Sequence, residues 1–239
     1  MVLFAIVGEL GAGKTLSLTY LAWLNWFRKE RRIFSNYNLY GFPFTKIRSI
    51  KDLDKMHQGF FTGDELWLWV DSWAGRSTKQ RIINAILLKS RKRMVTIAYT
   101  AQSFHQVGRR IRDVTDFIAT PIMSIDNYST TLQVFRGPKP TIATMIRPPI
   151  RFRNEPVYAM FDTTEEIMNI GEEEGKEEGE LKEVFLPIEK NKAFKRYLEE
   201  KGYSKDEILK ECRAIQKAIN PEGITSEKQR KKKPSWIPI

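Results

Sequence analysis

An α/β fold, with a central mostly parallel sheet flanked by helices, is predicted from three observations. An apolar run of strand length, Val2 to Val7, feeds a glycine-rich loop that passes at once into a helix-patterned segment. Further β-branched and aromatic runs, at 32–39, 59–65 and 95–100, are spaced by helix-patterned stretches, as strand–helix–strand units require. The chain has 239 residues, 41% of them hydrophobic, which suits one substantial core of this kind with a smaller appendage.

The loop reads Gly8-Glu9-Leu10-Gly11-Ala12-Gly13-Lys14-Thr15, the pattern G-x-x-x-x-G-K-T between a strand and a helix. Backbone N–H groups of such a loop converge on phosphate oxygens, and glycines at positions 8, 11 and 13 allow the backbone to approach closely. Lys14 would face the β- and γ-phosphates, and the Thr15 hydroxyl would ligate Mg²⁺. The helix that opens near Gly13 adds its positive N-terminal end. The segment from Gly8 to Leu16 is therefore the expected binding site for ATP with Mg²⁺.

Composition narrows the partners. Forty Lys and Arg stand against 29 Asp and Glu, a formal charge of +11. Residues 171–183 hold seven acids and two lysines, a local charge of −5, so the other 226 residues carry +16. A surplus of that size suits a polyanion such as nucleic acid. The single cysteine, Cys212, excludes an internal disulfide framework and fits a reducing, cytoplasmic setting. No run approaches the roughly 20 apolar residues of a membrane span, so no transmembrane segment is expected. The apolar N-terminal run is expected to be a core strand rather than a signal peptide.

Along the chain, Leu16 to Glu30 reads as a helix with Leu18, Leu21, Ala22, Leu24 and Trp26 on its buried face, ended by a basic cluster. Arg32 to Leu39 has strand character, and Ser49 to Met56 reads as a short helix capped by Ser49 with Asp52 three positions on. Gly59 to Glu65 reads as a strand ending in Asp64-Glu65. A triphosphatase needs one carboxylate at a strand end for Mg²⁺ and a second to orient the attacking water. Asp64 and Glu65 are the favoured pair. Asp71, at the end of an apolar run rich in tryptophan, is the alternative metal ligand, but Ser72 follows it where a base would stand.

Ser77 or Thr78 is placed to cap a helix running to about Arg93, and Val95 to Thr100 reads as a strand with Gln102 at its tip. A polar residue there either senses the γ-phosphate or satisfies loop backbone. A strand from Asp116 to Ala119 follows a cluster of arginines. From 122 to 160 helical periodicity gives way to alternating Thr, Val, Phe and Tyr punctuated by Pro and Gly, which predicts a β-hairpin or small meander. Lys190 to Asn220 reads as two helices broken at Gly202, the second capped by Ser204. The basic run Arg230-Lys231-Lys232-Lys233 near the C-terminus is expected to be mobile.

The series GELGAGKTLS, FSNYNL, GDELWLWVDS, ILLKSRKR, YTAQ, RRIRDVTDFIATP and FDTTEE resembles the zonula-occludens-toxin-like branch of the FtsK–HerA ATPases, in the versions carried by archaeal viruses and integrated elements. The likeness covers roughly residues 1–167 and does not extend over the rest of the chain. It implies a RecA-like P-loop ATPase core, hexameric assembly, and hydrolysis at subunit boundaries. In relatives this drives double-stranded DNA movement, including viral genome packaging, or virion morphogenesis and extrusion at the membrane. It also implies Lys14 and Thr15 as phosphate and Mg²⁺ residues, Asp64 and Glu65 as the acid pair, and Gln102 as sensor. Where relatives often carry Arg after Asp-Ser, this chain has Trp73, with Arg76 three residues later.

The expected organisation is an ATPase domain over 1–167 with a β-rich addition at 122–160, an acidic linker over 168–184, a small helical region over 185–225, and a basic tail over 226–239. The expected function is a Mg²⁺-dependent, ring-forming ATPase acting on double-stranded DNA in a host cytoplasm or a virion, with capsid or membrane-associated virion proteins as further partners. A nucleotide-dependent switch fits the loop alone, but no N-K-x-D guanine signature is present. In a ring, an arginine from the neighbouring protomer would complete the site. Arg110 and Arg112 are the candidates, on one side of an extended segment, with Arg76, Arg91 and Arg93 in reserve.

Overall fold

In a computed structural model of the chain, residues 2–65, 92–162, 164–165, 181–226 and 229 are described, with Ile50 and Arg110 described by backbone alone. The tryptophan run with Asp71, the helix expected from Ser77 or Thr78, Arg76, Arg91, most of the acidic segment and the basic tail lie outside the described residues.

Strand β1 (Leu3–Val7) is central, pairing in parallel with β5 (Val95–Ala101) on one side and β6 (Phe117–Met123) on the other. Beyond β5 come β4 (Gly59–Gly63), β2 (Arg32–Ser35) and β3 (Phe44–Lys46), all parallel. Antiparallel β7 (Ser129–Arg136) and β8 (Met145–Arg153) continue the sheet past β6, and antiparallel β9 (Glu183–Val184) extends the far edge. The order among the described residues is β8-β7-β6-β1-β5-β4-β2-β3-β9. The predicted α/β class is therefore observed, and the predicted meander is a continuation of the central sheet.

Both faces of the parallel part of the sheet are covered, as parallel strands require. Alternation in β1 sends Leu3 and Ala5 to one cluster with Phe34, Leu53, Phe61 and Ile97, and Ile6 to the other with Leu18, Leu21 and Trp26 of helix α1 (Lys14–Lys29). Helix α1 ends as its basic last turn predicts, at Glu30 in the left-handed conformation (φ 50°), whose N–H donates to the Asn25 carbonyl. Helix α2 (Ile50–Lys55) begins with the expected capping box of Ser49 and Asp52.

Strand β6 runs to Met123, past the expected end at Ala119, and contains Pro121. Its pairing with β1 stops at Ala119, so Pro121 lies where β6 has β7 as its one partner and a missing N–H is tolerated. The short helices α3 (Arg109–Asp113) and α4 (Asn154–Tyr158) flank this region.

The two C-terminal helices, α5 (Lys192–Glu200) and α6 (Lys205–Ile219), break at Gly202 as expected, and Ser204 forms a capping box with Glu207. Phe194, Leu198, Ile208, Cys212 and Ile219 join the same cluster as α1, and the Trp23 indole N–H donates to the Ile219 carbonyl at 3.0 Å. Trp26 is buried at 3% exposure on the expected face, and Trp23 packs half-buried against the same cluster.

Candidate active site

The glycine loop spans the C-terminal end of β1 and the start of α1. Gly11 and Gly13 take left-handed φ of 76° and 82°, where an L side chain is strained. A Cβ on Gly13 would also stand 2.9 Å from Met123 Sδ, so strand β6 closes against the loop and glycine is required there. The first turn of α1 carries no acidic residue and no side-chain cap, which leaves its N–H groups for an anion. Lys14 is buried, and its ammonium donates to the Glu9 carbonyl at 2.8 Å. Burial lowers its pKa, an effect the carboxylates of Asp64 and Glu65 oppose.

Strand β4 delivers the acid pair to the same end of the sheet, two strands from β1. The Thr15 hydroxyl donates to Asp64 Oδ2 at 2.9 Å, and the Thr100 hydroxyl, from intervening β5, donates to Asp64 Oδ1 at 2.6 Å. The Thr100 oxygen in turn accepts the Glu65 N–H at 2.7 Å. Glu65 sits at φ 46°, a left-handed conformation costly for a non-glycine residue. Asp64 is 7% exposed, and burial pushes its carboxyl above the ordinary value, moderated by the Thr100 and Thr15 hydroxyls.

The donor set fits Mg²⁺. A hydroxyl and a carboxylate oxygen stand 2.9 Å apart at the foot of the loop, both hard ligands of the kind this ion takes. A buried carboxylate that resists ionisation is stabilised by a nearby cation.

Gln102 follows the tip of β5. The β1–β5 register pairs Val7 with Ala101, so Gln102 lies level with Gly8, half-buried. The expectation for the arginines needs correction. Residues 109–113 form helix α3 rather than an extended segment, and positions two apart on a helix do not share a face. The Arg112 Nη1 group meets His105 Nδ1 at 3.2 Å, and its buried Nε has no hydrogen-bond partner among the described residues. Asp113 pairs with Arg109 at 3.8 Å, and Asp116 accepts the Leu3 N–H at 2.8 Å. Arg93 is held by Asp54 at 2.6 Å.

Residues the sequence reading did not single out complete the site. The Asn36 side chain clamps the Asp64 backbone twice, accepting its N–H and donating to its carbonyl, each at 2.8 Å. The buried Tyr37 hydroxyl accepts from Thr62 at 2.8 Å and bonds Thr19 at 3.0 Å, tying β4 to α1. Glu165 accepts the Asn38 N–H and the Lys46 ammonium, each at 2.7 Å. The signal was an Asn-Tyr-Asn run at the end of an apolar strand, where polar side chains either turn the chain or serve a site.

A glycine loop between a parallel strand and a helix, with an acid pair ending a strand two places away, defines a P-loop nucleotide-binding fold. No family model and no curated protein matches the chain. Among solved structures it is similar to the N-terminal domain of zonular occludens toxin from Neisseria meningitidis (15% identity, TM-score 0.45, 68% of this chain and 100% of that one). It is also similar to the genome packaging NTPase B204 of Sulfolobus turreted icosahedral virus 2 in complex with AMP (10% identity, TM-score 0.39, 56% and 92%). A third is a KaiC-like protein of Pyrococcus horikoshii (12% identity, TM-score 0.30, 63% and 83%). Among the described residues no helix is long and apolar enough to cross a membrane.

Proposed function

We propose that this protein is a Mg²⁺-dependent ATPase that assembles as a homo-oligomeric ring, a hexamer on the motif resemblance, and moves double-stranded DNA in the packaging of a viral genome. The observation that carries the ATPase reading is the contact between Thr15 and Asp64, which brings the loop and the acid pair to one point. The DNA-directed part rests on the charge of +11 and on the motif series.

In this reading the Lys14 ammonium leaves the Glu9 carbonyl for the phosphates and offsets their charge. Thr15 and Asp64 would hold Mg²⁺, whose chemistry when bound is to neutralise charge on the phosphate oxygens. Glu65, held by the Thr100 hydroxyl through its backbone, accepts a proton from the attacking water. Gln102, level with Gly8, reports the state of the γ-phosphate.

The test is ATP turnover by wild type, Lys14→Ala and Glu65→Gln, with and without duplex DNA over a salt series. Lys14→Ala should neither bind nor hydrolyse ATP appreciably, Glu65→Gln should bind and turn over slowly, and wild-type turnover should rise with duplex at low salt. Unchanged turnover in Lys14→Ala would overturn the ATPase reading. DNA-independent turnover would overturn its DNA-directed part.

A further inference from the structure

The antiparallel pair β7–β8, with the end of β6 beyond the buried Ile118, has one packed face and one open face. Thr130, Leu132 and Val134 of β7 are buried, and Leu132, Val134 and Phe152 join the cluster beneath α1, where Tyr20 stacks on Phe152 with ring centroids 4.1 Å apart. Alternation therefore turns Ser129, Thr131 and Gln133 to the opposite face, and all three are half-exposed. The register sets Arg153 beside Ser129, Arg151 beside Thr131, and Thr120 beside Gln133. From Tyr128 to Arg153 the sequence holds five cations, every one exposed, and no carboxylate. An ordinary solvated strand pair mixes both signs of charge, and this one does not.

We infer that this open face binds the phosphate backbone of duplex nucleic acid, an inference that rests on the DNA-directed reading above. Arg151 and Arg153, two residues apart on one strand, stand about 6.8 Å from each other along the sheet edge, so they meet successive anionic groups rather than one. The hydroxyls of Ser129 and Thr131 and the amide of Gln133 fill the rows beside them. These are the side-chain types that hydrogen-bond phosphate oxygens without reading bases. The Arg153 guanidinium already lies over the Tyr128 ring at 5.4 Å, which holds it in place before a ligand arrives. Ile122 stands exposed beside Thr131 on this face, but the hydroxyl and amide groups around it outnumber it and favour phosphodiester oxygens over the acyl chains of an anionic membrane.

The experiment measures binding of the full-length chain to a short fluorescein-labelled duplex of random sequence over a salt series, for wild type, Arg151→Gln/Arg153→Gln, and Lys205→Gln/Lys210→Gln. The lysine pair removes the same charge from exposed positions on α6, in the C-terminal helices. The arginine variant should lower the log–log salt slope by about 1.8, two phosphate contacts at 0.9 each. Its DNA-free ATPase rate should be unchanged, and the lysine variant should bind as wild type does. If the double variant folds poorly, Arg151→Gln alone should lower the slope by about 0.9. A wild-type slope retained in the arginine variants overturns this surface and leaves the DNA-directed reading standing. Equal losses in the arginine and lysine variants overturn it as a net-charge effect. A wild type that binds no duplex removes both readings, and binding to phosphatidylserine vesicles in place of duplex, lost in the arginine variant, assigns the face to a membrane.

Discussion

Asp64 is at once the most constrained and the most consequential side chain of the site. Both its carboxylate oxygens accept hydroxyl hydrogen bonds, yet burial holds its pKa above the ordinary 3.8. The metal-free fold therefore keeps a proton on Asp64 at a pH where the unfolded chain has lost it. Its contribution to stability is full below the ordinary carboxylate range and declines as pH rises through the folded value. Asp64→Asn should remove that decline. In EDTA the variant should melt at or above the wild-type temperature near neutral pH, its amide retaining hydrogen bonds of about 1 kcal/mol each. With Mg²⁺ and ATP present the order should reverse, because the variant lacks the anionic ligand. Thermal melts over a pH series in both conditions check this, and a variant that gains as much as wild type from Mg²⁺ and ATP would remove Asp64 from the metal site.

At the scale of elements, the site depends on three strands holding one another. Strand β5 stands between β1 and β4, and its Thr100 joins the acid pair, while Asn36, just past the end of β2, fixes the Asp64 backbone from the other side. Asn36→Ala removes two buried hydrogen bonds and leaves two backbone groups unsatisfied, a cost of about 2 kcal/mol or more. It also frees the Glu65 backbone to relax from φ 46°. The expected outcome is a folded protein with near-normal ATP affinity and a kcat lowered by at least about tenfold, since about 1 Å of misplacement at a catalytic group costs up to a hundredfold. Equilibrium nucleotide binding and steady-state turnover separate the two effects. Parallel losses in both would mark Asn36 as a residue of the fold alone. None of this was legible in the sequence, because the contacts join residues 28 and 35 positions apart.

For the whole molecule, the ring proposed above would let neighbouring protomers share catalysis. In a ring, a cation from one subunit can stabilise charge developing in its neighbour's site, an effect of about 10³–10⁵ in rate. Arg112 remains the candidate, because its buried Nε has no hydrogen-bond partner among the described residues and its Nη1 rests on His105. Arg112→Ala should fold, assemble and bind ATP, yet hydrolyse it poorly. Mixed with Glu65→Gln subunits it should regain activity, since an intact Glu65 on one protomer can meet an intact Arg112 on the next. Mixtures that stay inactive at every ratio, although mixed rings form, would rule out a trans role.

The sequence by itself determined what is local. The strand–loop–helix unit of Val2 to Glu30, the capping boxes at Ser49 and Ser204, and the break at Gly202 are each set by residues within a few positions of one another. Hydrogen bonds, φ preferences and apolar periodicity act at that range, so their pattern can be read directly. The tertiary structure decided what depends on which strands become neighbours. It made the 122–160 segment an extension of the central sheet, packed the C-terminal helices onto the α1 face, and turned the expected extended stretch of Arg109 to Asp113 into a helix. It also brought Asn36 and Thr100 to Asp64. Strand order is chosen by burying both faces of the parallel strands at once, and no short stretch of sequence carries that global condition.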